Sequence, residues 1–363
     1  MKELELHLDL IKQVNDKLAD EESKRIFAMR VLYSLTLDEQ YLYGLGHEVE
    51  KKVETDSLWK DYISILEKAQ SGDGLFLYGA GAYGEKMLKM TPTISWRGVI
   101  DKNPKTDTLS GVAIVSTSEF LRKLGNSKIV VSSKRYYEDI VRNLTENGVD
   151  VDRIVDGRVL YDLTEGKQYF DLDELPHIDG QEVFIDAGAC DGMSTVQFLK
   201  WCEGNGYSFC FEPDGRNIDN IKANMEDKKV NAEAYCIVPK GAWDKQCRLS
   251  FVATGNATSH IVEGEIADAI GDTESIETNS IDNEAGDMAV SFIKMDIEGA
   301  ELRALHGAEN SIRNNKPKLA ICVYHNPEDI FEIPEYILRI RPDYKLYLRH
   351  YSFDGTETVL YAF

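Results

Sequence analysis

The chain has 363 residues, and at roughly 100–200 residues per domain this length predicts two domains with room for an accessory segment. Apolar residues make up 43% and charged residues 29%, which excludes wholesale disorder and fibrous repeats. Lys and Arg total 41 against 63 Asp and Glu, so the net charge is −22 and the average surface repels nucleic-acid phosphates and anionic lipid.

The N-terminal sequence MKELELHLDL is acidic and lacks the features of a signal peptide. The chain has no run of about 18 consecutive apolar residues, so no membrane span is expected. Its six cysteines include no CxxC pair, which predicts buried free thiols rather than a disulfide framework or zinc cluster. The sequence therefore predicts a cytoplasmic protein with neither nucleic acid nor membrane as a partner.

Residues 1–70 are predicted to be a helical N-terminal region, because apolar positions recur at helical spacing and no Gly or Pro occurs before Gly44. The apolar face of this region must pack either on the rest of the chain or on a second copy. A homodimer formed through it is therefore one expectation.

Strands and helices alternate over residues 71–170, which predicts a small Rossmann-like domain. Its first strand is followed by Gly79-x-Gly81-x-x-Gly84, and the next strand ends at Asp101. This context fits a nucleotide loop, in which the glycines allow close approach of phosphate and the acid binds ribose hydroxyls. A structural βαβ unit that binds nothing is the alternative.

A second alternation occupies residues 171–363, and its first strand leads into a loop with Asp186, Gly188, Asp191 and Gly192. The next strand ends at Glu212, where a carboxylate can accept both hydroxyls of a ribose. Acids in this loop suit a ligand with an ammonium group and no phosphate. These residues predict S-adenosylmethionine as the cofactor, while a turn with helix-capping acids is the structural alternative.

The chain ends in two strand-like runs separated by Asp354-Gly355, which predicts an antiparallel hairpin on an otherwise parallel sheet. Class I methyltransferases have such a strand, and dehydrogenases usually lack it. By this fold analogy, the sequence predicts an α/β class I methyltransferase domain with a mostly parallel seven-stranded sheet.

Four segments of this domain carry a more specific pattern: residues 185–192, 211–213, 240–243 and, above all, 293–301 (IKMDIEGAE). With them the sequence resembles the FkbM-type family of S-adenosylmethionine-dependent methyltransferases over about residues 180–363. The resemblance implies methyl transfer, commonly to an oxygen of a sugar or another hydroxylated metabolite. Cys190 departs from the Asn or Phe often found in the family's loop.

Candidate catalytic residues lie where strands end, because ligands bind at the carboxyl ends of strands in open α/β sheets. Asp296 is expected near the cofactor's ammonium or its reacting methyl group. His325 is the preferred general base, since imidazole suits proton removal at neutral pH. Lys294 is grouped with them and is expected to pair with a carboxylate.

Further residues are assigned to substrate and cofactor. Glu298, Arg349 and His350 are candidate substrate contacts, and Trp243 packs either beside the adenine or in the core. No metal site is assigned, although Asp296, Glu298 and His325 offer an alternative site for Mg²⁺ or Mn²⁺. A polar loop at 255–260 is a candidate cofactor cover, and the acidic run 263–284 is expected to be a solvated face.

The sequence thus predicts an S-adenosylmethionine-dependent O-methyltransferase that acts on a hydroxyl of a sugar, glycan precursor or similar metabolite. In one version the acceptor is nucleotide-linked, and the Gly79–Gly84 loop holds the nucleotide. Two other hypotheses stay open: a nicotinamide-dependent oxidoreductase that uses this loop, and a non-catalytic protein that only binds S-adenosylmethionine.

Overall fold

The computed structural model describes residues 2–70, 74–123, 125–252, 260–262 and 274–363. Residues 255–259 of the predicted cover loop and 263–273 of the acidic run lie outside these ranges. The chain forms two compact units: Met1–His47 together with Gln168–Phe363, and Glu48–Lys167. None of the helices in the described ranges is both long and apolar enough to cross a membrane.

Four helices begin the chain, as the apolar spacing predicts: α1 (Lys2–Lys17), α2 (Glu21–Thr36), α3 (Gln40–Thr55) and α4 (Ser57–Ala69). The Asp20 side chain caps α2 by accepting from Ser23 N at 2.7 Å. Helix α3 continues through both of its glycines. At Gly46 a Cβ would lie 2.2 Å from Phe353 O, so close packing explains this glycine.

The second unit has six strands and four further helices: β1 (Leu75–Tyr78), α5 (Ala82–Met90), β2 (Trp96–Asp101), β3 (Thr108–Leu109), β4 (Val112–Ser116), α6 (Thr117–Arg122), β5 (Lys128–Val131), α7 (Tyr137–Glu146), β6 (Ile154–Asp156) and α8 (Val159–Leu163). Their sheet has the order β3-β4-β2-β1-β5-β6, and only the short β3 pairs antiparallel. This doubly wound order puts β1 at the point where the strand order reverses, which is where such sheets bind ligands.

The carboxy-terminal part of the first unit begins with β7 (Glu182–Ala187), α9 (Met193–Trp201), β8 (Gly206–Phe211), α10 (Gly215–Asp227), β9 (Tyr235–Val238), β10 (Gly241–Ala242), β11 (Cys247–Val252), β12 (His260–Val262) and β13 (Glu274–Asn279). It continues with α11 (Ile281–Ala285), β14 (Phe292–Met295), α12 (Glu301–His306), α13 (Glu309–Asn315), β15 (Lys318–Cys322), α14 (Asp329–Ile340), β16 (Leu346–His350) and β17 (Thr358–Ala362).

Seven of these strands form one sheet in the order β16-β17-β15-β14-β7-β8-β9. Strand β17 is antiparallel to both of its neighbours, and the other pairs are parallel. This is the sheet of class I methyltransferases, and the terminal hairpin predicted from sequence is confirmed. A separate sheet, β10-β13-β11-β12, was not expected from the sequence.

The α1–α2 turn covers the edge strand β16. Leu18 forms a bridge with Leu346, and Ala19 N donates to Leu346 O at 2.8 Å. Two residues further along the strand, Leu348 N donates to Ser23 Oγ at 2.9 Å. Because the outer side of an edge strand otherwise leaves backbone groups unpaired, the N-terminal segment completes this edge of the sheet.

Apolar side chains of α1 and α2 also join the core of the large sheet. Val14, Ile26 and Phe27 belong to the same buried cluster as the strand residues Leu346 and Leu360. The predicted boundary after residue 70 therefore differs from the compact units. Helices α1 and α2 need this sheet to bury their apolar faces, and the division falls within α3.

This packing gives a stability prediction. Replacing Phe27 by alanine should lower the free energy of unfolding of the first unit by about 3–5 kcal/mol, because Phe27 is almost fully buried. Leu35→Ala on the same helix is the matched control, since its side chain is 54% exposed and its effect should stay within about 0.5 kcal/mol. Denaturant unfolding measures both, and equal effects would contradict the proposed packing.

Candidate functional site

The loop from β7 to α9 is built on left-handed backbone. Gly188 and Gly192 both have φ +78°, and Cys190 between them has φ +49°. A Cβ on Gly188 would lie 2.0 Å from the carbonyl oxygen of Asp296. The loop after β7 and the loop after β14 therefore touch backbone to backbone, which only glycine permits here.

Glu212 follows β8 and closes this loop from the other side. Its two carboxylate oxygens accept from Cys190 N and from Asp214 N, each at 2.9 Å. Burial raises the pKa of Glu212 to about 7. The Asn217 side chain also hydrogen-bonds to this carboxylate, and the acceptor capacity that remains can receive a ligand hydroxyl.

Asp186 and Lys294 form a buried pair beneath the loop. Lys294 Nζ lies 3.2 Å from Asp186 Oδ1, while Oδ2 accepts from Ser194 and Thr195 hydroxyls at 2.6 and 2.7 Å. Lys294 also donates to the carbonyl of Gly188 at 2.7 Å. Burial alone would lower the pKa of Lys294, but the Asp186 and Asp296 carboxylates raise it above its usual value.

The environment of this pair changes two expectations. Asp186 is 0% exposed, so it anchors the loop instead of touching a ligand as predicted. Lys294, predicted as catalytic, keeps its proton and is 3% exposed, so it holds loop carbonyls in place. Asp191 is half-buried, and its carboxylate accepts from Met193 N at 3.1 Å at the start of α9, as the helix-capping alternative describes.

Asp296, at the end of β14, is held by two tyrosines. Tyr169 OH donates to Oδ2 at 3.1 Å, and Tyr324 OH donates to Oδ1 at 3.2 Å. Although burial opposes its charge, Lys294 and His325 lower the pKa of Asp296. Sequence reasoning missed Tyr169, because it lies outside any motif, in the segment before β7.

His325 follows β15 and faces three carboxylates. Its Nδ1 lies 3.0 Å from Glu301 Oε1, and its Nε2 lies 3.5 Å from Asp296 Oδ1 and 3.8 Å from Glu298 Oε2. Burial would lower the pKa of His325, but Glu301 and the other two acids raise it to about 9. With this pKa the imidazole is protonated at neutral pH, so it is not the ready general base that the sequence predicted.

The motif after β14 brings these acids together. Glu298 has φ +56° and Gly299 has φ +92°, two successive left-handed residues that turn the chain back toward α12. Glu301 is fully buried and accepts from Ile297 N at 2.8 Å, so it fixes this turn as well as facing the histidine. Asp296, Glu301 and His325 offer possible metal-ligand atoms within 4.8 Å of one another.

Two predicted substrate residues lie in structural contacts instead. Arg349 Nη2 pairs with Asp20 of α2 at 2.8 Å. His350 Nδ1 lies 2.8 Å from Thr358 Oγ1, and its Nε2 lies 2.8 Å from Asp354 O. His350 therefore stabilises the terminal hairpin, and Arg349 joins the hairpin to the start of helix α2.

Trp243 is 6% exposed, and its backbone N–H donates to Asn279 O at 2.9 Å. The Arg303 guanidinium lies 5.7 Å from the centre of its ring. Of the two predicted roles, the structure shows the core packing, and a position beside the adenine stays a prediction.

In the second unit, the loop after β1 has the backbone geometry that a phosphate loop needs. Gly79 has φ +116°, a Cβ on Gly84 would lie 1.9 Å from Gly79 O, and a Cβ on Gly81 would meet open space. Asp101 accepts from Ala80 N at 3.1 Å and thus also supports the loop. Nucleotide binding here stays a prediction.

Residues 186–351 match the family model of the methyltransferase FkbM domain. This part of the chain is an FkbM-type methyltransferase domain. The match begins at the buried Asp186 and ends in the terminal hairpin, so it includes both the cofactor-type loop and the Asp296 motif. The search of curated proteins found no match to the chain.

Solved structures with a similar fold include a methyltransferase FkbM from Methylobacillus flagellatus, at 21% identity and a TM-score of 0.47, covering 90% of this chain and 100% of that one. Fibrillarin from Aeropyrum pernix, solved with bound S-adenosylmethionine, has 12% identity and a TM-score of 0.34, covering 53% of this chain and 71% of that one. A putative rRNA methylase from Clostridium thermocellum has 10% identity and a TM-score of 0.34, covering 50% and 87%.

The contact between the two loops gives a prediction. Gly188→Ala should destabilise the first unit by more than the roughly 1–2 kcal/mol of left-handed strain, because the new Cβ also meets Asp296 O. Gly215→Ala is the matched control, since its Cβ would meet open space at the start of α10. Thermal unfolding measures both; a Gly188→Ala protein as stable as the control would contradict the contact.

Proposed function

We propose that this chain is an S-adenosylmethionine-dependent methyltransferase that transfers the methyl group to a hydroxyl oxygen of a sugar, glycan precursor or similar hydroxylated metabolite. The observation that carries the proposal is the Glu212 carboxylate, which lies against the Gly188–Gly192 loop inside an FkbM domain. An acid at this edge of the sheet is suited to the two hydroxyls of the adenosine ribose.

The charges around the loop favour S-adenosylmethionine over a dinucleotide at this site. The cation nearest the loop carbonyls is Lys294, and Asp186 neutralises it. Asp191 and Glu212 add negative charge at the same edge. A pyrophosphate would be repelled here, whereas the ammonium and sulfonium of S-adenosylmethionine would be attracted.

Methyl transfer requires the acceptor oxygen to lie in line with the sulfonium methyl group, about 3 Å from it. In the reaction the oxygen–methyl bond forms, the carbon–sulfur bond breaks, its electron pair stays on sulfur, and the acceptor's proton is released. We place the acceptor beside Asp296, because the two tyrosines fix its carboxylate at the end of the central strand β14.

The acids near Asp296 also support a choice of acceptor class. Glu298 and Glu301 lie within one turn of Asp296, and all three face His325. Such a cluster repels polyanions and offers hydrogen-bond acceptors to neutral hydroxyl groups. A neutral sugar hydroxyl fits this environment.

The experiment is a calorimetric titration of the full chain with S-adenosylmethionine, S-adenosylhomocysteine and NADH. We expect the first two to bind, and Glu212→Gln to weaken them about 10–100-fold, as expected for loss of a charged hydrogen-bond acceptor. Glu226→Gln on the exposed side of α10 is the matched control and should bind like the wild type.

The same titration separates the rival hypotheses. Binding of NADH alone would contradict the proposal and favour the oxidoreductase. If S-adenosylmethionine binds, incubation with a panel of free and nucleotide-linked sugars should yield S-adenosylhomocysteine with at least one acceptor. Binding without turnover on any hydroxylated acceptor would favour the non-catalytic hypothesis.

Cofactor affinity should depend on pH through Glu212. The pKa of this buried carboxyl is about 7, so below that pH it becomes protonated and loses its charge. Affinity for S-adenosylmethionine should therefore fall as the pH decreases through 7 and reach a plateau above it. Glu212→Gln should remove this pH dependence, which the titrations repeated across pH will measure.

The Gly79–Gly84 loop of the second unit remains a candidate nucleotide-binding loop. Gly81→Ala should leave the fold intact, because the added methyl group meets open space. It should nevertheless weaken binding of a nucleoside diphosphate sugar, since the methyl group occupies the space where phosphate approaches the loop. Titration with a nucleoside diphosphate sugar, with S-adenosylmethionine as the control ligand, measures this; equal affinity in both proteins would exclude the loop as the site.

Other predictions stay open. The six cysteines, all within the described ranges, are free thiols, three buried and three half-buried. This fits a reducing cytoplasm, which remains a prediction. One face of helices α1 and α2 packs against the main sheet of the same chain. A homodimer through the N-terminal region also remains a prediction.

A further inference from the structure

Neither ring nitrogen of His325 makes a well-aligned hydrogen bond among the described residues, although the side chain is only 8% exposed. The nitrogen that lies farther from a carboxylate is Nε2. This Nε2 is directed at two carboxylates, with Asp296 Oδ1 at 3.5 Å and Glu298 Oε2 at 3.8 Å. Both distances exceed those of hydrogen bonds. A buried polar atom left in this state needs an explanation.

We propose that a divalent cation binds here, with His325 Nε2 and the carboxylates of Asp296 and Glu298 as its protein ligands. Its role in methyl transfer rests on the proposed function above, whereas the binding itself does not. The mixture of imidazole and carboxylate suits Mn²⁺ or Mg²⁺, with zinc as a further occupant.

The two distances from His325 Nε2 are close to those of such a site, and Asp296 and His325 belong with Glu301 to a cluster whose possible ligand atoms lie within 4.8 Å of one another. For metal–ligand bonds of about 2.0–2.2 Å, neighbouring ligand atoms lie about 3.0–3.4 Å apart. The observed 3.5 and 3.8 Å would have to contract by up to about 0.8 Å when the ion binds. Glu298 contributes from left-handed backbone, a strained conformation that tends to persist at functional sites.

The groups behind the ligands support the assignment. Glu301 Oε1 lies 3.0 Å from His325 Nδ1, so it can hold the Nδ1–H tautomer and direct Nε2 toward a metal. Tyr169 and Tyr324 each donate to one oxygen of Asp296 and fix its orientation. In metal sites, groups such as these usually hydrogen-bond to the residues that bind the metal and fix their orientation.

The local charge also calls for a cation. Asp296, Glu298 and Glu301 converge on one imidazole. Lys294, which also lies near Asp296, is paired with Asp186. Even a protonated histidine leaves the three carboxylates with an excess of negative charge, and a divalent ion would offset it while leaving the imidazole neutral.

A cation in this position would bind the acceptor hydroxyl and lower its pKa. The hydroxyl proton would then leave to solvent, past Glu298, whose side chain is 29% exposed. This assigns activation of the acceptor to the metal and makes His325 a ligand instead of a base.

The test is a Mn²⁺ titration of the full chain, followed by electron paramagnetic resonance of the free ion. We expect one saturable site, at least tenfold weaker in His325→Gln. Glu301→Gln should weaken it about 10–100-fold through loss of ligand orientation. His306→Gln, which alters an exposed histidine beside Tyr336, is the matched control and should bind like the wild type.

Absence of saturable Mn²⁺ binding, or equal affinity in wild type and His325→Gln, would overturn the inference. Because His325 is buried, thermal unfolding must show that its variant folds. If it does not, Glu298→Gln at the partly exposed ligand decides in the same way. Titration of the same samples with S-adenosylmethionine separates the two proposals. Loss of Mn²⁺ binding alone would contradict the cation site but not the methyltransferase proposal. Loss of S-adenosylmethionine binding alone would contradict the methyltransferase proposal but not the cation site.

Discussion

The buried pair of Lys294 and Asp186 is the interaction on which the candidate site depends. It joins the two central strands β7 and β14, and the lysine also holds the carbonyl of Gly188. Removing either partner would leave a charge in the core without its counterion, which costs several kcal/mol. The Gly188–Gly192 loop and the loop that begins with Asp296 therefore keep their relative position through one ion pair and one glycine contact.

The main sheet was predictable because its strands are short, mostly apolar runs that alternate with helical segments. The sequence also indicated a carboxylate partner for Lys294, which is confirmed. That this partner is Asp186 was not predictable, because sequence places both residues at strand ends without showing that they face each other. Whether a charged residue meets a ligand or a partner depends on register between strands. In this sheet Lys294 is paired in register with Asp186, across neighbouring strands.

Long-range contacts explain the other differences. Arg349 was predicted to touch substrate, but its partner is Asp20, more than 300 residues earlier in the chain. Tyr169 belongs to no motif and reaches Asp296 only through the fold. Local pattern shows that helices α1 and α2 have an apolar face, yet it cannot show which surface covers that face. The acids of the IKMDIEGAE segment were identified as site candidates from sequence because they lie close together in one short segment after β14.

The cover that α1 and α2 provide for β16 has a consequence for how the chain is organised. Residues 48–167 are inserted between two segments that complete a single sheet and core. The segments that flank this insertion meet at contacts such as Ala19 with Leu346. Helices α1 and α2 must reach the edge strand β16 across a long stretch of intervening chain before that strand is covered. Contacts between residues so far apart in sequence favour slow folding. A chain shortened from its N-terminus would be expected to expose a strand edge that invites pairing with other chains.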